Sequence, residues 1–345
     1  MRESRSPAKS GSVRLGPATS PSPPGRRPLP LVVAVDCFGD EWSRAAVRSA
    51  LRGTASLVGC GHGWAPDCSV LDGASVVLTR SLYELSRDAA GRLRGAQAVV
   101  LTAPWEGDAE AALASEFSVR RLVTACPGLE EERADTELAL ILSLTRRTAP
   151  LAKALAAGAW LPTPGAYRGA RRLACLTLGV VGLDACAAGV VRRAAAGFAM
   201  RVLFVPTLDA DGVFEPGVVA AGGKRASSLE ALLDEADVVV IHAAHGAGCV
   251  LGAAQVARLR KGAFVVHTGP SGCVDTPSLK RALADGRLAG VGIDAPDVEH
   301  WMEAAARERG TVLLTPRASR HSEEAYAAAA AAAGSAARAV LRGER

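Results

Sequence analysis

The stretch that decides the fold runs from Leu173 to Thr207: LACLTLGVVGLDACAAGVVRRAAAGFAMRVLFVPT. An apolar run of strand length leads into a glycine turn. A helical segment follows, and a second apolar run closes the unit. This is the frame of a dinucleotide-binding βαβ unit, whose turn reads G-x-G-x-x-G. Gly182 holds the first glycine position and allows the tight turn. After Leu183, Asp184 stands at the second position, where a glycine lets pyrophosphate approach the backbone. Ala187 stands at the third, a tolerated variant where helix and strand pack. The acidic residue expected at the end of the next strand, on the ribose hydroxyl, is Pro206. The frame is kept and the ligand groups are lost.

The loss at Asp184 is not mild. Two unit charges ~4 Å apart at an effective dielectric near ~20 repel by about 4 kcal/mol, which is roughly three decades of affinity. Losing the ribose partner removes a charge-assisted bond worth ~1.5–3 kcal/mol. Two readings of Asp184 stay open. It is a built-in anion at the start of the helix that follows, or an ordinary N-cap on a helix whose phosphate site is obsolete. Both predict weak or vestigial NAD binding.

Composition sets the wider limits. The chain has 345 residues, 49% of them hydrophobic, enough for two domains with sizeable cores. No apolar run approaches the ~18 residues of a membrane helix, and no h-region of a secretory signal is visible. The eight cysteines are scattered without a C-x-x-C pair, which points to free thiols in a reducing compartment, cytoplasmic or nuclear. Six of the 40 basic residues and one of the 35 acidic ones lie in residues 1–29, so the remaining 34 and 34 balance. The excess charge therefore describes a Ser/Pro/Arg-rich tail, expected to be disordered, and not a nucleic-acid-binding domain. A disordered regulatory tail is the first reading; the tail is also acid-poor, like an organelle transit peptide, which is the alternative. Carboxylates and histidines do not cluster with ligand spacing along the chain, so no metal site is expected.

Outward from the fingerprint the pattern alternates. Strands are expected at LVVAVDC (31–37), SVVLTR (75–80), QAVVLTA (97–103) and RLVTACP (121–127), with helices between them. One long helix is expected over 131–157, bent or broken by Pro150. After the fingerprint, strands at DVVVIHA, AFVVHTG, AGVGIDA and TVLLTP alternate with helices, and a last helix spans 323–341, capped by Ser322 and weakened by Gly334 and Ser335. Alternating β and α elements imply mostly parallel sheets.

Four segments carry a resemblance: ADTELALILSLTRRT (134–148), LGVVG (178–182), AFVVHTGPSGCVDTPSLKRALADGRLAGVGIDA (263–295) and HWMEA…VLLTPRASRHSEEAY (300–326). On these the chain from Leu31 to Arg345 resembles the D-2-hydroxyacid dehydrogenase family, within it the C-terminal-binding protein branch, and there most of all the plant ANGUSTIFOLIA group. The resemblance implies an α/β protein of two Rossmann-like domains. A formate/glycerate-dehydrogenase-like outer domain would comprise residues 30–126 and 300–345, and a dinucleotide-binding domain residues 127–299. It places Gly182, Leu183, Asp184, Ala187, Thr268, Gly269 and Asp294 at the cofactor. The plant proteins usually carry a long C-terminal extension, which is not expected here because the sequence ends at Arg345.

An active member of the family needs an Arg for the substrate carboxylate, a His as proton shuttle and a Glu to orient that His. By resemblance the Arg position is Pro270, which carries no charge and no backbone N–H. The His position is Arg317, whose guanidinium stays protonated. The Glu position is met loosely by Glu299, with Asp297 as a rival. Losing acid–base catalysis alone costs about 10²–10⁴-fold. His242, His267 and His321 are expected to be surface or packing residues. Together these losses imply a non-catalytic scaffold or co-regulator. By resemblance it would form a homodimer and bind proteins through short peptide motifs, without membrane insertion or direct nucleic-acid contact. An NAD(H) sensor and an atypical 2-hydroxyacid oxidoreductase are the alternatives.

Overall fold

A computed structural model describes residues 29–35, 41–60, 68–80, 82, 85, 87–102, 108–124, 130–159, 164–206, 212–243, 248–269, 272–294, 301 and 311–344. The expectations placed on the tail before Leu29 and on Pro270, Asp297 and Glu299 lie outside these residues.

Two parallel sheets organise the chain. The first has five strands in the order β2-β1-β3-β4-β5: β1 (Leu31–Val35), β2 (Ser56–Cys60), β3 (Val76–Thr79), β4 (Ala98–Leu101) and β5 (Leu122–Thr124). Helices α1 (Glu41–Leu51), α2 (Arg87–Arg92) and α3 (Asp108–Glu116) connect them. Strand β2 was not expected; SLVGC is a five-residue run with weak alternation, and its pairing with β1 supplies the order that its own sequence does not. β1, β3 and β4 are buried on both faces, which is why they read as unbroken Val/Leu/Ala runs.

The second sheet has seven strands in the order β12-β11-β10-β9-β6-β7-β8. They are β6 (Thr177–Val181), β7 (Arg201–Val205), β8 (Lys224–Arg225), β9 (Val238–Ile241), β10 (Ala263–His267), β11 (Leu288–Ile293) and β12 (Thr311–Leu314). The strand order reverses between β6 and β9, the switch point where such sheets place ligands. The expected long helix divides into α4 (Glu130–Arg146) and α5 (Thr148–Ala156). The break is at Arg147, in the left-handed region with φ 59°. Pro150 thus falls in the first turn of α5, where its missing N–H costs little. Helix α6 (Ala187–Arg192) follows the glycine turn, and α7 (Glu215–Ala220), α8 (Leu229–Glu235), α9 (Ala253–Arg258) and α10 (Thr276–Ala284) follow in turn. Leu138, Ile141 and Leu144 of α4 and Val190 and Val191 of α6 pack on one face of this sheet; α8, α9 and α10 cover the other.

The last helix, α11 (Glu323–Leu341), has the expected limits, with Ser322 Oγ accepting from Ala325 N. It packs against α1 on the first sheet through Ala330, Ala333 and Ala337. Gly334 is not a weak point there: a Cβ on it would stand 2.6 Å from Ala50 Cβ, so the glycine permits the close crossing. The domain limit expected at residue 300 needs correction. Trp301 is 1% exposed in the core of the second sheet, and β12 pairs with β11 in that sheet. The chain returns to the first sheet only after Leu314, because the apolar run 311–314 is in register with β11.

Candidate functional site

The site lies at the C-terminal ends of β6, β9 and β10, where side chains from α4 reach them. Gly182 directly follows β6 with φ 82°, and a Cβ there would meet the His242 carbonyl oxygen at 2.6 Å. Glycine is required by both the conformation and the space. Leu183 and Ala187 are buried, the latter completely, in the core beneath the turn.

Asp184 turns its carboxylate inward. Its Oδ1 accepts from the backbone amides of Cys186 (3.0 Å) and Ala187 (3.2 Å). The same oxygen lies 2.8 Å from His242 Nδ1. Its Oδ2 accepts from Arg133 Nη1 at 2.5 Å. The two readings of Asp184 therefore merge: it caps the turn amides and is also an anion lodged among cations.

Arg133 and Glu137 reach the site from α4, one helical turn apart. Arg133 Nε donates to Thr268 Oγ1 (2.7 Å) and lies 3.2 Å from Glu137 Oε1. Arg133 Nη2 donates to the Ile241 carbonyl at 3.3 Å. Thr268 Oγ1 in turn donates to Glu137 Oε1. Glu137 Oε2 and His242 Nε2 are 3.0 Å apart in an ion contact, but neither atom has a hydrogen-bond partner, so their alignment is poor. His242 and Glu137 are 0% and 1% exposed.

Burial would depress the His242 pKa, but Glu137 and Asp184 outweigh it and raise it to about 9. Burial likewise pushes Asp184 up; His242 and Arg133 overcome this and hold it far below the usual carboxylate range. Glu137 is lowered against its own burial, first by His242 and then by Arg133. Burial, the largest influence on Arg133, lowers its pKa, while Asp184 and Glu137 raise it further and win. At neutral pH the group is two cations and two anions, neutral as a whole. Its burial is tolerable only because every charge has a partner.

The other expected site residues fall nearby with different tasks. Gly269 is next to the cluster; a Cβ on it would stand 3.3 Å from His267 Cε1 and 3.6 Å from Arg133 Nη2. Asp294, 2% exposed, engages both oxygens: Oδ1 accepts from Thr315 Oγ1 (2.6 Å) and Ala318 N (2.7 Å), and Oδ2 from Ser319 N (2.8 Å). It thus pins the segment after β12 to the end of β11. Arg317 is exposed and left-handed, with φ 56°. His321 is exposed and bonds Tyr326 Oη through Nδ1 at 2.8 Å. His242 and His267 are buried, not surface, residues.

Sequence reasoning missed Arg133 and Glu137. A signal existed: both share the face of α4 that carries Leu140, Ile141 and Leu144, so two charges lie on a buried stripe. It also expected no metal constellation. Glu137, Cys186 and His242 are nevertheless brought within 4.8 Å of one another by three separate elements.

Comparisons with known proteins fit this architecture. The chain is 34% identical over 307 residues to C-terminal binding protein AN of Arabidopsis thaliana, covering 86% of this chain and 46% of that protein. It is 31% identical over 210 residues to a glyoxylate reductase of Korarchaeum cryptofilum, covering 59% of this chain and 60% of that protein. The chain thus spans about half the length of the curated relatives it matches. A D-lactate dehydrogenase structure from Treponema pallidum superposes with a TM-score of 0.76 at 17% identity, covering 91% of this chain and 98% of that one, which shows the fold. The family model described as the NAD binding domain of D-isomer specific 2-hydroxyacid dehydrogenases matches residues 138–319, more than half the chain, and takes in the glycine turn with Asp184 and His242. The chain therefore belongs to the D-isomer specific 2-hydroxyacid dehydrogenase family.

Proposed function

We propose that this chain is a non-catalytic dehydrogenase-like scaffold or co-regulator, similar in role to the plant C-terminal-binding proteins. One observation carries the reading. The turn amides of Cys186 and Ala187 are taken by the Asp184 carboxylate, which is itself held by Arg133 and His242. The residues present fit a dinucleotide pyrophosphate poorly, because an anion already sits among the donors it would use. Pro270 and Arg317 at the family's Arg and His positions remove the substrate clamp and the proton shuttle. Binding is then weak or vestigial, and the preserved fold serves as a platform.

On this reading the chain forms a homodimer through its second sheet domain and takes short peptide motifs on the first. It acts in the cytoplasm, the nucleus or both, in control of cell shape, trafficking or transcription. A second reading, an NAD(H) sensor without turnover, is favoured by one feature: Gly182 keeps the tight turn of a working fingerprint. The test is NADH oxidation with a panel of short 2-keto acids. No turnover above a heat-treated control is expected. Turnover that disappears on His267→Ala or His321→Ala would overturn the scaffold reading.

A further inference from the structure

Hydrogen bonding around the buried cluster is uneven. His242 is fixed through Nδ1, 2.8 Å from Asp184 Oδ1, while its Nε2 has no hydrogen-bond partner. Glu137 is fixed through Oε1 by Arg133 and Thr268, while its Oε2 has none. These two atoms face each other at 3.0 Å in an ion contact that lacks hydrogen-bond alignment. Cys186, 3% exposed, brings its sulfur into the same group, all three ligand atoms lying within 4.8 Å of one another.

A histidine bonded to a carboxylate through one ring nitrogen, with the other nitrogen aimed at a ligand group, is the arrangement that metal-bound histidines carry. Glu137 repeats it, one oxygen tied and the other left over. Ligands ~2.1 Å from a tetrahedral zinc ion stand roughly 3.4 Å apart, close to the oxygen–nitrogen spacing here. We propose that Glu137 Oε2, Cys186 Sγ and His242 Nε2 bind one divalent transition-metal ion of the zinc class.

One sulfur, one imidazole and one carboxylate form a borderline-soft set that suits Zn²⁺ and excludes Mg²⁺ and Ca²⁺. The charge balances. Two positive charges enter with the ion, and two protons leave, one from the Cys186 thiol and one from the His242 ring. Arg133 stays neutralised by Asp184, so the buried group is neutral with the ion and without it. The ion would tie α4, the glycine turn and the end of β9 together. This is a structural task independent of the scaffold reading.

The test uses the full chain, stripped with a chelator, dialysed and titrated with Co²⁺ as the optical probe. One equivalent is expected, with a thiolate-to-cobalt charge-transfer band that Zn²⁺ displaces. Cys186→Ser should abolish the band. Asp184→Asn, which keeps the ligands but removes the charge that orients His242 and pairs with Arg133, should weaken binding about 10–100-fold. No charge-transfer band in the wild-type chain, or an unchanged band in Cys186→Ser, overturns the proposal. X-ray absorption on the zinc-loaded wild-type chain gives a check independent of variant folding. One sulfur and otherwise nitrogen or oxygen scatterers are expected; a sulfur-free or all-sulfur shell overturns it.

Discussion

Replacing Glu137 by glutamine tests the buried charge cluster at its most enclosed member. The change keeps the shape and removes one charge. Arg133 and His242 then face Asp184 alone, one buried positive charge in excess. Removing one partner of a buried ion pair costs about 3–5 kcal/mol, because the other is left uncompensated. Two features of the structure reduce this. Arg133 keeps its 2.5 Å bond to Asp184, and His242 can release its proton once Glu137 no longer raises its pKa. The glutamine oxygen can still accept from Thr268. A net loss of about 2–4 kcal/mol follows. The assay is urea unfolding at neutral pH in the presence of chelator, followed by circular dichroism. The midpoint should fall while the slope is unchanged. A loss below about 0.5 kcal/mol would mean that the cluster is solvated or differently paired.

Gly334→Ala should destabilise by a net ~1–2 kcal/mol, because a 2.6 Å approach to Ala50 Cβ puts overpacking near the upper end of its usual ~1–3 kcal/mol and outweighs a helix-propensity gain of about 1 kcal/mol; unchanged thermal unfolding would mean α1 and α11 can slide apart. Asp294→Ala should expose the 315–320 segment to proteolysis, because three hydrogen bonds to Asp294 hold it; an unchanged cleavage pattern would count against that role. In chelator the cluster also sets a pH window. The folded His242 pKa of about 9 lies above its ordinary 6.5, so its contribution is complete below 6.5 and lost as pH rises through 9. Asp184 and Glu137 are lowered, so theirs is present above the ordinary carboxylate range and lost on acidification. Stability measured by denaturation should therefore peak near pH 5–6.5, and His242→Gln should flatten the alkaline limb; an alkaline limb unaltered in that variant would contradict the assignment.

The fold was legible where pattern and length agree. Buried parallel strands announce themselves as Val/Ile/Leu runs, and α11 is delimited by a capping serine and its Ala-rich face. Strand β2 was not, since its order comes from its neighbour, and the break at Arg147 was not, since a left-handed arginine has no sequence signature. The site was half legible. Asp184 stood out because it violates a motif. Its partners did not, because Arg133 and Glu137 lie more than a hundred residues before His242 and each looks ordinary beside its own neighbours. Only the fold, which brings side chains of α4 to the ends of β6, β9 and β10, makes them a group. Gly334 shows the converse error: read locally it weakens a helix, and in the packed structure it is the contact.

On the proposed reading the chain's own side chains close the dinucleotide site. Titration with NADH, followed by fluorescence, of the wild-type chain and of Asp184→Gly tests it most directly. No saturable binding below millimolar NADH is expected for the wild-type chain. Asp184→Gly should bind at least ~100-fold more tightly, as relief of a repulsion of about 4 kcal/mol allows even after partial offset. Micromolar binding by the wild-type chain, unchanged in Asp184→Gly, would contradict it.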